Sequence, residues 1–534
     1  MRKMPTATAT RARTLPELFV ATVRRRRHQP ALGVIEGGQV KWHTWEELGA
    51  AVEARAREFE GQGIKRGDLV VQIGPNSVAW IVNDMALHYL GAVHVPLHTT
   101  LSKSKQQELI DHSGAEHVIE LDKHANQLKR SRRSSERIGK YIPPHSICGP
   151  DSLATILYTS GTTGDPRGVM LTQENLVANT VALSEAVGSR NEMRLVVLPL
   201  SHIYARTCDL YSWIERGSRL ILCEDPRETF LRDCQLVKPL VINAVPYLYQ
   251  KLVDLADAEL ERADEDKDSG PAKTIRGLLG GRIARCYCGG AALAPTVVER
   301  FAEERLPLLP GYGLTEASPV VTVPSHMEFA PYAVGRPLSN VEVQLADDGE
   351  ILVRGPNVMK GYWLNESATD EVLQDGWLST GDLGEWDAEG RLAIVGRKKE
   401  LMALATGKKI IPSALETLVC ASTWIEQAIV IGEGRRYLSA IIVPNPKRIK
   451  SEIRKQKLLV WSKKRGVSHP RIRKIIEREI NAMLAHLPPH QQIKKFVIID
   501  RGFSIDLGEM TPKLSLRRMV IEKNFAKEIA AMYS

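Results

Sequence analysis

The sequence predicts an α/β protein: a large N-terminal domain of β-sheets flanked by helices, with a small distorted β-barrel, followed by a small mobile α+β domain. Three observations carry this expectation. First, an apolar strand at 69–73, an apolar-periodic helix at 80–90 and a strand at 92–97 follow one another closely, the rhythm of a mostly parallel sheet covered on both faces. Second, the pattern changes from Gly349 to short strands and tight turns, at 350–353, at Arg354-Gly-Pro-Asn and at Gly361-Tyr-Trp, which suits a small barrel. Third, at Arg391-Leu-Ala-Ile-Val-Gly-Arg-Lys-Lys-Glu400 a strand ends in a burst of charge, and element ends are where hinges absorb backbone rotation. The expected division is a disordered tail at 1–14, an N-terminal domain at 15–397 and a C-terminal domain at 398–534.

Bulk properties narrow the classes. At 534 residues, 43% hydrophobic and 25% charged, the chain has the make-up of an ordinary globular protein with a large core. No run approaches the roughly 20 apolar residues of a membrane span. The net charge of +9 suits nucleic acid, an anionic membrane or a polyanionic small ligand. Zinc spacing and the aromatic-plus-glycine RNA-binding signature are both missing, so no nucleic-acid partner is expected; small-molecule phosphates come first and a membrane surface second. Seven scattered cysteines (148, 208, 223, 234, 286, 288, 420) without a Cys-x-x-Cys pair point to a reducing compartment, and a cytoplasmic location is expected. Cys286 and Cys288 alternate along a strand and are read as packing residues.

Element by element, residues 15–30 read as a helix ending in Arg24-Arg-Arg-Arg27, whose charge complements the helix dipole; a lipid contact there is the minor reading. Thr44-Trp-Glu-Glu-Leu opens a capped helix. Residues 128–140, dominated by Lys, Arg and Ser, read as an exposed linker, and 256–268 as a solvated acidic helix. A strand at 283–288 leads into Gly289-Gly-Ala-Ala-Leu, where Gly290 and Ala291 leave room for a flat ring. In the last domain strands are expected at 425–431, 437–443 and 496–499, and the stretch 447–474 is strongly basic.

Three stretches carry chemistry. The first is Tyr158-Thr-Ser-Gly-Thr-Thr-Gly-Asp-Pro-Arg-Gly168, after a buried strand at 153–157. Its glycines turn backbone N–H groups inward as an anion nest. The hydroxyls of Thr159, Ser160, Thr162 and Thr163 add short hydrogen bonds and can reach a metal, while Arg167 supplies a fixed charge. A polyphosphate suits this inventory, yet the spacing is not the Walker pattern. The second is Leu309-Pro-Gly-Tyr-Gly-Leu-Thr-Glu-Ala317. Tyr312, between Gly311 and Gly313, can stack on a base, Thr315 can reach a phosphate and Glu316 can hold Mg²⁺. The third is Trp377-Leu-Ser-Thr-Gly-Asp-Leu383, whose Asp382 can accept from two ribose hydroxyls.

In order and in wording these stretches resemble the adenylate-forming (AMP-binding) superfamily, in its long-chain fatty acyl-CoA synthetase form. The resemblance implies an acid–thiol ligase that uses ATP, Mg²⁺ and coenzyme A to convert a fatty acid to acyl-CoA through an acyl-adenylate. Loading of a carrier protein is the alternative. It assigns the ATP phosphates to Thr159, Ser160, Gly161, Thr162, Thr163, Gly164 and Arg167, the adenine to Gly290, Ala291, Gly311, Tyr312 and Gly313, and the α-phosphate to Thr315. Mg²⁺ falls to Glu316 with Thr162, the ribose to Asp382, the ribose or a phosphate to Arg397, and the pivot to Lys399. Leu198-Pro-Leu-Ser-His-Ile-Tyr-Ala-Arg206 resembles the motif beside the acyl pocket, which makes His202 and Tyr204 wall candidates and gives Arg206 a minor claim. For 447–474 a solvated face is the default, with the 3′-phosphate of coenzyme A or a peripheral membrane contact as secondary readings.

The chain departs from the family at Gly508-Glu-Met-Thr-Pro-Lys-Leu-Ser-Leu-Arg-Arg518. Where the family has its catalytic lysine stands Ser515, and Lys513 lies two residues earlier. If the segment is extended the two share a face about 7 Å apart. Lys513 is therefore a candidate displaced lysine, and an adenylation-impaired binding protein is the reading if it does not substitute.

Overall fold

The computed structural model describes residues 12–122, 148–159, 166–188, 192–265, 274–325, 330–456, 466–467, 469–504, 507–510 and 516–534. The first eleven residues, the linker at 128–140, phosphate-loop residues 160–164, and Lys513 with Ser515 lie outside the described residues. The chain forms two compact units: Met1–Gly290 with Arg300–Gln344 and Leu352–Thr380, and Ala291–Glu299 with Leu345–Ile351 and Gly381–Ser534.

In the first unit, helix α1 (Leu15–Arg26) starts from a Thr14–Glu17 capping box with Pro16 in its first turn, which satisfies N–H groups the helix leaves open. It stops short of the expected residue 30 because Pro30 opens a strand, Pro30–Glu36, and the residue before a proline avoids helical angles. Three of the four terminal arginines are occupied within the fold: Arg25 Nη2 donates to the Glu215 carbonyl at 2.7 Å, Arg26 to Gln29 Oε1 at 3.1 Å and Arg27 Nε to Glu46 Oε1 at 2.9 Å.

Two sheets follow the expected alternation. One has seven strands in the order 308–310, 285–288, 241–244, 193–196, 219–222, 30–36, 39–44, and every pairing is parallel except that of the last two strands. The other has six: β3 (Gly361–Tyr362), β2 (Arg167–Thr172), β1 (Leu153–Thr159), then 93–97, 69–73 and 117–120. Its last four strands run parallel, while β2 lies antiparallel to both β1 and β3. Val71, Val95 and Ile156 pack in its core. All seven cysteines are free thiols and six are buried, Cys286 and Cys288 among them. Burial pushes the Cys286 thiol up to about 12, so both residues pack as expected.

The second unit holds a three-stranded sheet of β4 (Ile425–Ile431), β5 (Leu438–Pro444) and β6 (Ile493–Ile498), antiparallel and then parallel. Strand alternation builds two separate cores. Ala428, Val430, Ala440 and Ile442 face α2 (Pro446–Lys455) and α3 (Pro470–Leu484) through Ile449, Ile472, Ile476 and Ile480. Ile429, Ile431, Ile441 and Val443 face the C-terminal helices Arg518–Asn524 and Ala526–Tyr533 through Ile521, Phe525, Ile529 and Met532. Each fully buried isoleucine contributes roughly 1.5–3 kcal/mol. Among the described residues no helix is long and apolar enough to cross a membrane.

Candidate active site

The phosphate loop is held at both ends by one hairpin. Strands β1 and β2 pair with Tyr158 opposite Gly168 and Thr159 opposite Arg167, so the intervening loop leaves and re-enters the sheet at adjacent points. Gly168 is required there: a Cβ would lie 2.8 Å from Ile156 Cγ2. The neighbouring strand β3 adds Tyr362, paired with Val169. The Tyr362 ring centroid lies 5.4 Å from the Arg167 guanidinium carbon, and its hydroxyl donates to Glu316 Oε1 at 2.9 Å. The Met359 N–H donates to the Glu316 carbonyl at 2.8 Å. Burial, and then the Glu316 carboxylate, raise the Tyr362 phenol far above its ordinary value, so it stays protonated and donating. Arg167, Tyr362 and Glu316 thus form one string from the loop to the third motif residue.

Tyr312 and Gly313 form a short strand against Val320–Val323, with Tyr312 opposite Thr322 and Gly313 opposite Val320. A Cβ on Gly313 would sit 2.0 Å from the Pro319 carbonyl oxygen, so glycine is demanded by the close backbone. Thr315 and Glu316 follow in a single 3-10 turn, Thr315–Ala317. The structure therefore brings together Thr159, Arg167, Glu316 and the unforeseen Tyr362.

At the end of strand Arg285–Cys288, Gly290 has φ +82° and open space where a Cβ would be. Gly289 is tight, its Cβ position 3.2 Å from Tyr204 Cζ. The Tyr204 hydroxyl donates to the Tyr287 carbonyl at 3.3 Å, so this ring braces the glycine turn from one side. His202 is exposed, its ring centroid 5.0 Å from that of His98. Arg206 does not join the site. It is fully buried, paired with Asp84, and it donates to Thr155 Oγ1 at 2.9 Å. His94 Nδ1 is 2.7 Å from Asp84 Oδ1 and 2.9 Å from Arg206 Nη2. Burial and the Arg206 cation pull the His94 imidazole down to about 4. Arg206 is a core charge, neutralised where it sits.

Five residues of the second unit matter. Asp382 and Arg397 face one another across a hairpin, Arg397 Nε 2.9 Å from Asp382 Oδ1. The Asp382 side chain is 6% exposed and that of Arg397 63%, so a nearly buried carboxylate holds a solvent-reaching cation. Lys398 is tied to Asp348 and Glu350, both at 2.7 Å, while Lys399 is exposed and, among the described residues, makes no ion pair. A Cβ on Gly396 would lie 2.2 Å from Ile411 Cγ2, which fixes the strand end before the charged turn.

The segment around Lys513 also has a built base. The Glu509 side chain is fully buried and receives both Arg501 Nη1 and Nη2 at 2.7 Å, with Asn524 Nδ2 at 2.9 Å. The Arg517 N–H donates to the Glu509 carbonyl at 2.8 Å, and Met510 bridges Leu516. The described residues on either side, Met510 and Leu516, are thereby held to each other. The sequence signals this only by an acid in the motif and an arginine eight residues before it.

Among the described residues no cluster of three His, Cys, Asp or Glu could cage a metal. One half-buried carboxylate, Glu316, beside a phosphate loop is the donor set that suits Mg²⁺, which binds through one or two carboxylates plus substrate phosphates.

Comparison with known proteins agrees with this layout. Residues 19–363 match the AMP-binding enzyme family and residues 399–534 match the AMP-binding enzyme C-terminal domain. The long-chain-fatty-acid–CoA ligase FadD15 of Mycobacterium bovis is 28% identical, over 92% of each chain. A feruloyl-CoA synthase of Amycolatopsis sp is 32% identical, over 77% of this chain and 84% of that protein. ATP-bound MatB from Rhodopseudomonas palustris shares the fold, with a TM-score of 0.74 at 21% identity over 96% of this chain and 99% of that one. The first matched region contains the phosphate-loop and Tyr312–Glu316 motifs, the second begins at Lys399, and the chain belongs to the AMP-binding enzyme family.

Proposed function

We propose that this enzyme activates a long-chain fatty acid and passes the acyl group to coenzyme A. The acid–thiol ligase class, with ATP, Mg²⁺ and coenzyme A, follows from the family and the ligase relatives. The long acyl chain is the finer step, supported by FadD15, which matches 92% of the chain. The observation that carries the adenylation chemistry is the Arg167–Tyr362–Glu316 string at the mouth of the phosphate loop.

In the proposed reaction a carboxylate oxygen bonds to the α-phosphorus, the α–β phosphoanhydride bond breaks and pyrophosphate leaves. Arg167 offsets phosphate charge, Tyr312 and the Gly289–Gly290 turn receive the adenine, and Asp382 accepts from the ribose hydroxyls. When bound, Mg²⁺ offsets charge on the leaving pyrophosphate, and Glu316 would hold it. His202 and Tyr204 border the acyl group. The coenzyme A thiol then attacks the acyl carbonyl, loses its proton, and AMP leaves. Residues 398–534 act as the mobile domain with Lys399 as pivot, supported by the contrast between anchored Lys398 and untethered Lys399.

Ser515 favours a second reading, an adenylation-impaired acyl-adenylate-binding protein. ATP–pyrophosphate exchange with fatty acids of graded length and no thiol separates the two. Exchange with one length class, lost in Lys513→Ala and raised in Ser515→Lys, supports catalysis by a displaced lysine. No exchange at any length refutes adenylation. Adding coenzyme A against a phosphopantetheinylated carrier then identifies the acceptor.

A further inference from the structure

We propose that the second unit docks on an anionic lipid bilayer through the outward faces of α2 and α3. The α2 sequence Pro446-Lys-Arg-Ile-Lys-Ser-Glu-Ile-Arg-Lys455 carries five cations and one acid. At about 100° per residue, Lys447, Arg448, Lys450, Arg454 and Lys455 span about 160° opposite the core-facing Ile449 and Ile453. All five are exposed, and none makes an ion pair among the described residues. The single acid, Glu452, is half-buried at the edge and accepts from Gln456 Nε2 at 2.7 Å. Arg471 Nη1 donates to Gln456 Oε1 at 2.7 Å, fastening the start of α3 to the end of α2. Arg471 and Lys474 extend the charge along the outward side of α3, opposite Ile472, Ile476 and Ile480.

Three further observations favour a lipid surface over a solvated face. At the end of α1, Arg25, Arg26 and the cap residue Arg27 are satisfied by the Glu215 carbonyl, Gln29 and Glu46, whereas the α2 cations make no ion pair among the described residues. Half-buried Trp424 packs in part against the core beneath α2 and α3, and its carbonyl accepts from the Asn445 N–H at the start of α2 at 2.9 Å; an amphipathic ring that keeps part of its surface exposed beside cations suits the headgroup layer. The basic helices cover one face of the β4–β6 sheet, while Met510 and Leu516, which bracket Lys513, pack on the other. A bilayer on the first face leaves the Met510–Leu516 bridge clear. Five aligned cations also match an extended anionic plane better than one small polyanion.

The test uses the full chain and vesicles of phosphatidylcholine with about 30% phosphatidylglycerol, followed by co-sedimentation without fatty acid or nucleotide. Binding is expected at about 0.1 M salt, released at about 0.5 M as the charges are screened, and absent with pure phosphatidylcholine. Each near-surface cation multiplies affinity about fivefold. The variant K447Q/K450Q/R454Q/K455Q should therefore lose about 600-fold, with its melting temperature and pyrophosphate exchange unchanged. W424A should weaken binding a few-fold. Failure to sediment with anionic vesicles, or equal binding by the quadruple variant, overturns the proposal. So does a quadruple variant that binds vesicles normally but shows a raised KM for coenzyme A, or vesicle-indifferent protein that is retained by an acidic carrier protein through these same residues. The sedimentation and melting readouts do not depend on which acid the enzyme activates.

Discussion

Tyr362→Phe isolates one interaction at the phosphate loop. The variant keeps the ring beside Arg167 and its burial, and removes only the hydroxyl that donates to Glu316 Oε1 at 2.9 Å. A hydrogen bond to a charged group contributes about 1.5–3 kcal/mol, and about 1.4 kcal/mol is tenfold. If the bond orients the carboxylate for the metal, kcat/KM for MgATP in pyrophosphate exchange falls about 10- to 100-fold and the Mg²⁺ concentration for half-maximal rate rises. Because the phenol is held far above its ordinary value by burial and by Glu316, the wild-type bond persists through alkaline pH and the ratio of the two rates stays flat from neutral to pH 9. Adding Glu316→Gln completes a double-mutant cycle, and the Tyr362→Phe effect should shrink severalfold in that background. An unaltered Mg²⁺ requirement, or an equal loss with and without Glu316, would refute the assigned orienting role.

Other perturbations test the remaining geometry. Asp382→Asn removes the carboxylate that holds Arg397 and should raise the KM for ATP about tenfold with a smaller change in kcat, read from initial rates. Arg501→Met leaves the fully buried Glu509 carboxylate without its bidentate partner. It should destabilise the second unit by about 2–3 kcal/mol and lower exchange, measured by urea unfolding and pyrophosphate assay. His94 is held at about 4 against an ordinary 6.5, so the unfolded chain takes up a proton first as pH falls. Stability should drop by about 2–3 kcal/mol from pH 6.5 to 4, and His94→Gln should flatten that slope in urea titrations at each pH.

Much of the architecture was legible because it rests on local pattern. The helix at 80–90 and the strand at 92–97 appear as Val78–Leu90 and Val93–Leu97, since apolar periodicity and β-branched runs fix such elements within a residue or two. Motif wording singled out Arg167 and Glu316, which Tyr362 joins in the structure. What escaped were long-range partnerships. Tyr362 lies 46 residues from Glu316 and in a strand read only for its turn, and sheet order alone places it beside β2. Arg501 and Glu509 meet through a loop whose closure needs the third strand and the C-terminal helix in place. Arg206 misled in the opposite way. A cation in a site-like motif suggested chemistry, but its fate depended on Asp84, 122 residues earlier in the chain, and a buried acid opposite makes it a core residue.

The alternation of β4 and β5 has an evolutionary corollary. Neighbouring positions such as Ala428 and Ile429, or Ala440 and Ile441, belong to different cores, so a substitution at one is felt on one side of the sheet. The layer under α2 and α3 can therefore vary with its surroundings while the layer beneath the C-terminal helices stays under separate selection. Two traits carried on three strands can be inherited, lost or engineered independently.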